Sequence, residues 1–202
     1  MIRPLAVIVS AILLSRPGMP VSEATRYAKL LAEEAKKHDF DPLTGVAIVH
    51  FESRWMPGVI SADGEDYGLG QIRARWLSAC RNDADPVNAP SEACAAAKLT
   101  LLVPEVNLRR MAFIITANRE LCKEKMGAGD LPHWLAGYEG LSQPGRDVWC
   151  RPNPKTWEVV AYRRMLVDTL VAKRKPAVTM VAKKAPPSKP AARAAEPPRR
   201  KP

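Results

Sequence analysis

Residues 52–72 gather side chains that could do chemistry: Glu52-Ser53-Arg54-Trp55-Met56-Pro57, then Ser61-Ala62-Asp63-Gly64, then Gly68-Leu69-Gly70-Gln71-Ile72. Glu52 ends an apolar run and precedes a glycine-rich turn region. A carboxyl held between an apolar wall and a cleft keeps its proton to higher pH and can pass it to a leaving-group oxygen. That is the environment of a general acid for glycosidic cleavage. A glutamate at a helix end is more often a plain surface residue, so the surrounding elements decide the matter.

A hydrolase working by inversion needs a second carboxylate, roughly 6.5–9.5 Å from the first, with a water between them. Asp63, Glu65 and Asp66 follow Glu52 closely, and Glu139 lies further along the chain. Asp63-Gly64 reads first as a turn.

The run Leu43–Phe51 predicts a helix. Asp41 before Pro42 supplies an N-cap and a proline at the first helical position. Leu43, Ala47, His50 and Phe51 share one face at helical spacing. Glu52 then falls in the last turn, where the helix C-terminus and apolar neighbours both disfavour its charged form, so its pKa should be raised. Ala24, Tyr27, Ala28, Leu31 and Ala35 predict an earlier helix capped by Ser22. Met111, Ile114, Ile115 and Leu121 predict another, and the run Val159–Leu170 a last one. Residues 60–72 suggest a short β-hairpin. No segment alternates well enough for a larger sheet.

Glu52-Ser53 with Gly68-Leu69-Gly70-Gln71 resembles the Glu-Ser … Gly-Leu-Met-Gln pattern of the lytic transglycosylase family of the lysozyme superfamily, with Gly70 where the family usually has methionine. Asp39-Phe40-Asp41-Pro42-Leu43 looks like that family's entry to the catalytic helix. Pro104-Glu105-Val106-Asn107-Leu108 is similar to its Pro-x-x-Asn-hydrophobic helix start. Leu135-Ala136-Gly137-Tyr138-Glu139-Gly140 is similar to its Ala-x-Tyr-Asn-x-Gly segment. Glu139 replaces the asparagine, and the next glycine comes one residue early. The resemblance covers roughly residues 22–170.

The resemblance implies a mainly α, lysozyme-like single domain with Glu52 at the base of a cleft. Glu52 would be the sole catalytic acid/base on peptidoglycan, giving 1,6-anhydromuramyl ends without consuming water. Ser53, Ser61, Gln71 and Tyr138 match positions that shape or line the cleft, with Glu139 beside them. Ser61 reads equally as a turn residue and Tyr138 as a core aromatic. Glu139 could raise the pKa of Glu52 by like-charge repulsion. The alternatives are a hydrolytic muramidase and a wall-binding module without activity.

Residues 1–20 hold Arg3, an apolar run from Leu5 to Leu14, then Arg16-Pro17-Gly18. This fits a secretory signal or an uncleaved N-terminal anchor, and so an exported, periplasmic or extracellular protein. The domain is drawn as residues 22–170. Residues 173–202 hold ten Lys or Arg, seven prolines and one acid, Glu196, and so supply nearly all of the net charge of +10. Such a tail cannot build a core and is expected to be disordered. It is either a spacer or an electrostatic tether to an anionic wall or membrane surface. A nucleic-acid binder driven by this tail would leave residues 40–140 without a purpose.

Cys80, Cys94, Cys122 and Cys150 lack metal-site spacing. In an exported chain they read as two disulfides, with Cys80–Cys94 and Cys122–Cys150 favoured because both close turn-rich loops. His38, His50 and His133 are scattered, and His50 reads as a packed helical residue. No metal or cofactor is expected, the glycan strands of peptidoglycan are the expected partner, and the chain is expected to be a monomer. The tryptophans Trp55, Trp76, Trp134, Trp149 and Trp157 read either as core or as sugar platforms.

Overall fold

The computed structural model describes residues 3–141 and 148–170. The expected tail and residues 142–147 of the second cysteine loop lie outside the described residues. The protein is mainly helical. The helices are α1 (Leu5–Ser15), α2 (Val21–Lys37), α3 (Pro42–Glu52), α4 (Glu92–Thr100), α5 (Pro104–Met126), α6 (Leu131–Tyr138) and α7 (Pro154–Leu170). An antiparallel pair, β1 (Asp66–Tyr67) and β2 (Ile72–Arg73), forms the expected short hairpin, with Asp66 opposite Arg73 and Tyr67 opposite Ile72. Ile60 adds an isolated bridge to Tyr67.

Helix α3 is the axis of the molecule. Asp41 caps it, its carboxylate accepting from the Leu43 N–H at 3.1 Å, and Pro42 occupies the first turn where no N–H is needed. The amphipathic pattern expected of it is too narrow, because every residue from Pro42 to Val49 is buried. An apolar helix without a polar face is one surrounded by other helices. Here α1, α2 and α7 pack around it.

Both ends of α3 are pinned. At its start, the buried Asp41 carboxylate binds Arg3 at 2.6 Å and Arg163 of α7 at 2.8 Å. Burial works to raise the Asp41 pKa, but the Arg3 and Leu43 hydrogen bonds and the two guanidinium charges bring it below its ordinary value. Further along, His50 stacks on Tyr162 with ring centroids 4.1 Å apart, so its reading as a packed residue holds. At its end, Arg54 and Trp55 take left-handed φ values of 53° and 62°. Such non-glycine residues are strained by on the order of 1–3 kcal/mol each. The Trp55 indole offsets this: it is fully buried, stacks on Tyr27 and donates to Ser15 Oγ at 2.8 Å. The sharp turn makes Glu52 the last helical residue.

One expectation needs correction. Ser22 does not cap α2, which starts at Val21 behind Pro20. Helix α1 precedes the domain drawn from residue 22 and packs on it. Val7, Ile8, Ala11 and Ile12 of α1 are buried in the same core as α2 and α3. The apolar run of 5–14 is therefore a core element of this fold. No helix among the described residues is long and apolar enough to cross a membrane.

The cysteines pair as expected, Cys80 with Cys94 and Cys122 with Cys150. The first staples the short 3-10 turn Ser78–Cys80 to α4, and the second ties α5 to the segment before α7.

Candidate active site

Charged groups of three further elements act on Glu52 at the end of α3: Asp66 of β1, Glu139 just past α6 and Lys155 at the start of α7. The Glu52 side chain is mostly buried, 15% exposed. Its pKa is raised, chiefly by burial and further by the charges of Glu139 and Asp66. Lys155, with Nζ 3.7 Å from Glu52 Oε1, opposes the shift. The direction is the one the sequence predicts, and the main cause is loss of solvent. Two hollows elsewhere, one lined by Arg3, Glu33 and Pro42 and one by Leu77, Val106 and Phe113, do not include Glu52.

The 68–71 turn is built around Asn107 of α5, which is fully buried. Its amide donates to the Tyr67 and Leu101 carbonyls at 2.7 Å each, and its oxygen accepts from the Gly70 N–H at 2.7 Å. One side chain thus satisfies three backbone groups that would otherwise be buried unpaired. Gly68 has φ +72°, and a Cβ there would collide with the Leu101 carbonyl. At Gly70 a Cβ would come within 2.8 Å of the Tyr138 hydroxyl. The place that a side chain at residue 70 would take is filled by Tyr138 and Asn107.

Tyr138 donates its hydroxyl to the Gly70 carbonyl at 2.6 Å, locking α6 onto this turn. Burial, and the nearby Glu52 and Asp66 charges, hold its pKa well above the ordinary phenol value. The phenol therefore stays neutral beside Glu52 at any working pH.

The other expected site residues divide. Ser53, the residue after α3, is buried and donates back to the Val49 carbonyl at 3.4 Å. Ser61 is a turn residue: its hydroxyl bonds Asp63 and accepts from the Asp66 N–H at 2.9 Å. The Gln71 amide donates to the Val59 and Gly68 carbonyls at 3.2 and 2.9 Å. These three residues shape the site's framework, and the hydrogen bonds they make are to the protein itself.

Among the candidate second carboxylates, Asp63 caps its own turn through the Glu65 N–H at 3.2 Å. Glu65 is buried and paired with Arg73 and Arg75. Asp66 forms a two-point pair with Arg73, both contacts 3.1 Å. Glu139 accepts from Thr156 Oγ1 at 2.6 Å through one oxygen, while its other oxygen is buried with no hydrogen-bond partner among the described residues. Asp66 and Glu139 are the two whose charge reaches Glu52.

Lys155 and Thr156 went unrecognised in the sequence. Pro152-Asn153-Pro154 does carry a helix-start signature, and Asn153 indeed caps α7, accepting from the Thr156 N–H at 2.9 Å. Nothing local to that segment connects it to Glu52. Of the tryptophans, Trp55 and Trp134 are core, and Trp76 and Trp157 are exposed. Among the described residues no cluster of His, Cys, Asp and Glu could hold a metal ion.

No family model matches this chain, nor does any curated protein or solved structure.

Proposed function

We propose that the chain is a peptidoglycan lytic transglycosylase with Glu52 as its acid/base. The observation that carries this reading is the environment of Glu52. It is a largely buried carboxyl with a raised pKa, at the end of a rigid helix, beside the neutral phenol of Tyr138. A protonated carboxyl there can give its proton to the oxygen bridging muramic acid and glucosamine as the C1–O bond breaks. The resulting carboxylate then takes the proton of the same sugar's 6-hydroxyl as that oxygen closes onto C1. The products are a 1,6-anhydromuramyl end and a free 4-hydroxyl, and Glu52 is protonated again. No water is consumed.

The Asn107–Gly70–Tyr138 hydrogen bonds support this role by fixing the position of Tyr138, whose phenol lies near Glu52. A second reading, hydrolysis by a muramidase, is favoured by one observation: Asp66 and Glu139 both lie close enough to act on Glu52. Either could orient a water. A reducing-end assay on purified peptidoglycan separates the two readings. Loss of turbidity without new reducing ends supports the transglycosylase, and new reducing ends support the hydrolase.

The setting we propose is outside the cytoplasm, where two disulfides persist. Because α1 is part of the core, the export reading that fits is one in which residues 3–16 stay with the domain. The expected contact of the basic tail with an anionic wall or membrane surface belongs to the same proposal.

A further inference from the structure

Glu52 is faced by charged or titratable groups from three elements. Asp66 of β1 is already engaged by Arg73 on both carboxylate oxygens. Tyr138 at the end of α6 is a neutral phenol bound to Gly70. Lys155 of α7 and Glu139, just past α6, remain.

These two are held by one device, the cap of α7. Asn153 and Thr156 bond each other in both directions: Asn153 N–H to Thr156 Oγ1 at 3.3 Å, and Thr156 N–H to Asn153 Oδ1 at 2.9 Å. This fixes the first turn of α7 and presents Lys155, between them, to Glu52 at 3.7 Å. The same Thr156 hydroxyl, fully buried, holds one oxygen of Glu139 at 2.6 Å. A cation and a carboxyl of opposite influence are thereby anchored through adjacent residues of one helical turn.

We propose that Lys155 and Glu139 are opposed positioning residues that set the proton affinity of Glu52, Lys155 favouring its carboxylate and Glu139 its protonated form. The catalytic meaning of this pair rests on the acid/base reading of Glu52. A transglycosylase needs Glu52 as an acid first and as a base second, so its proton must be held neither too tightly nor too loosely. Glu139 helps Glu52 keep its proton to higher pH. Lys155 stabilises the carboxylate formed once that proton has left. Glu139 itself is partly buried, which raises its own pKa, while the Thr156 hydrogen bond and the Lys155 charge work against that shift.

Carbon-13 NMR of the full chain, labelled at the glutamate carboxyl carbon, reads this directly, with the Glu52 signal assigned by its loss in Glu52→Gln. In Lys155→Met the Glu52 midpoint should move up by about one pH unit, and in Glu139→Gln it should move down by a similar amount. Glu139→Gln retains an oxygen for Thr156, and Lys155 is half exposed, so both variants should fold. Lys155→Arg, which keeps the charge, should leave the midpoint in place. Midpoints that stay put in both variants, or move in the same direction, overturn the proposal. The titration needs no substrate. Failure of the wild-type protein to cut peptidoglycan would defeat the proposed function and leave the titration result standing.

Discussion

The Trp55 indole N–H donates to Ser15 Oγ at 2.8 Å, and the same hydroxyl meets His50 Nδ1 at 2.8 Å. Helix α1 thus holds both the last turn of α3 and the strained turn beyond it, with Glu52 between the two contacts. The segment with the composition of an export signal is a supporting wall of the candidate active site.

It follows that a chain lacking residues 1–16 should not fold stably. The buried Val7, Ile8 and Ile12 side chains stabilise the fold by about 1.5–3 kcal/mol each. Their sum is comparable with the whole stability of a typical domain, about 5–15 kcal/mol. Thermal melting followed by circular dichroism should show a cooperative transition for the full chain and none, or one at much lower temperature, for the truncated chain. If the protein is exported as proposed, its intact mass should include residues 3–16.

Asn107→Ala removes three buried hydrogen bonds at one stroke and leaves the Gly70 N–H and two carbonyls without partners. A loss of about 3 kcal/mol is expected in urea unfolding. Activity should fall further than stability alone explains under conditions where the variant is still folded, because the turn that holds the Tyr138 hydroxyl loses its anchor.

Glu52→Gln should abolish activity and stabilise the protein at neutral pH. A carboxyl whose folded pKa is raised is uncharged in both states at low pH, so it then has little effect on stability. As pH climbs past the unfolded value, about 4.3, ionisation favours the unfolded chain and stability falls until the folded pKa is passed. The neutral amide escapes this cost. Melting temperatures of wild type and variant should coincide near the acid end and separate at neutral pH, with the variant higher.

Asp41 has the opposite sign. Its folded pKa is depressed, so its contribution is fully present above the unfolded value, about 3.9, and is lost as pH falls through the folded value. Asp41→Asn should flatten the acid limb of a stability–pH profile and weaken the hold of Arg3 and Arg163 on α3. Urea titrations at acid and neutral pH measure both effects.

The parts of this molecule written in local signals were legible in the sequence. Asp41-Pro42 marks the start of α3, the apolar run after it marks its length, and the glycines of 64–70 mark the hairpin region. The raised pKa of Glu52 followed from its place at the end of that run. What escaped detection depends on contacts between distant segments. Lys155 reaches Glu52 only because α7 packs along α3. Ser15 serves Trp55 only because α1 belongs to the core, and an apolar run of that length looks alike whether a membrane or a protein interior receives it. Ser61 and Gln71, expected at the cleft, make hydrogen bonds that close the loop on itself, as polar residues in a tight turn commonly do.

The most direct test of the central claim is mass spectrometry of purified peptidoglycan digested by this protein, with Glu52→Gln run in parallel. Muropeptides lighter than the hydrolytic products by one water, ending in 1,6-anhydromuramic acid, are expected from the wild-type protein, and none of them from the variant. Anhydro products that persist in Glu52→Gln, or no products from the wild-type protein, would contradict the claim.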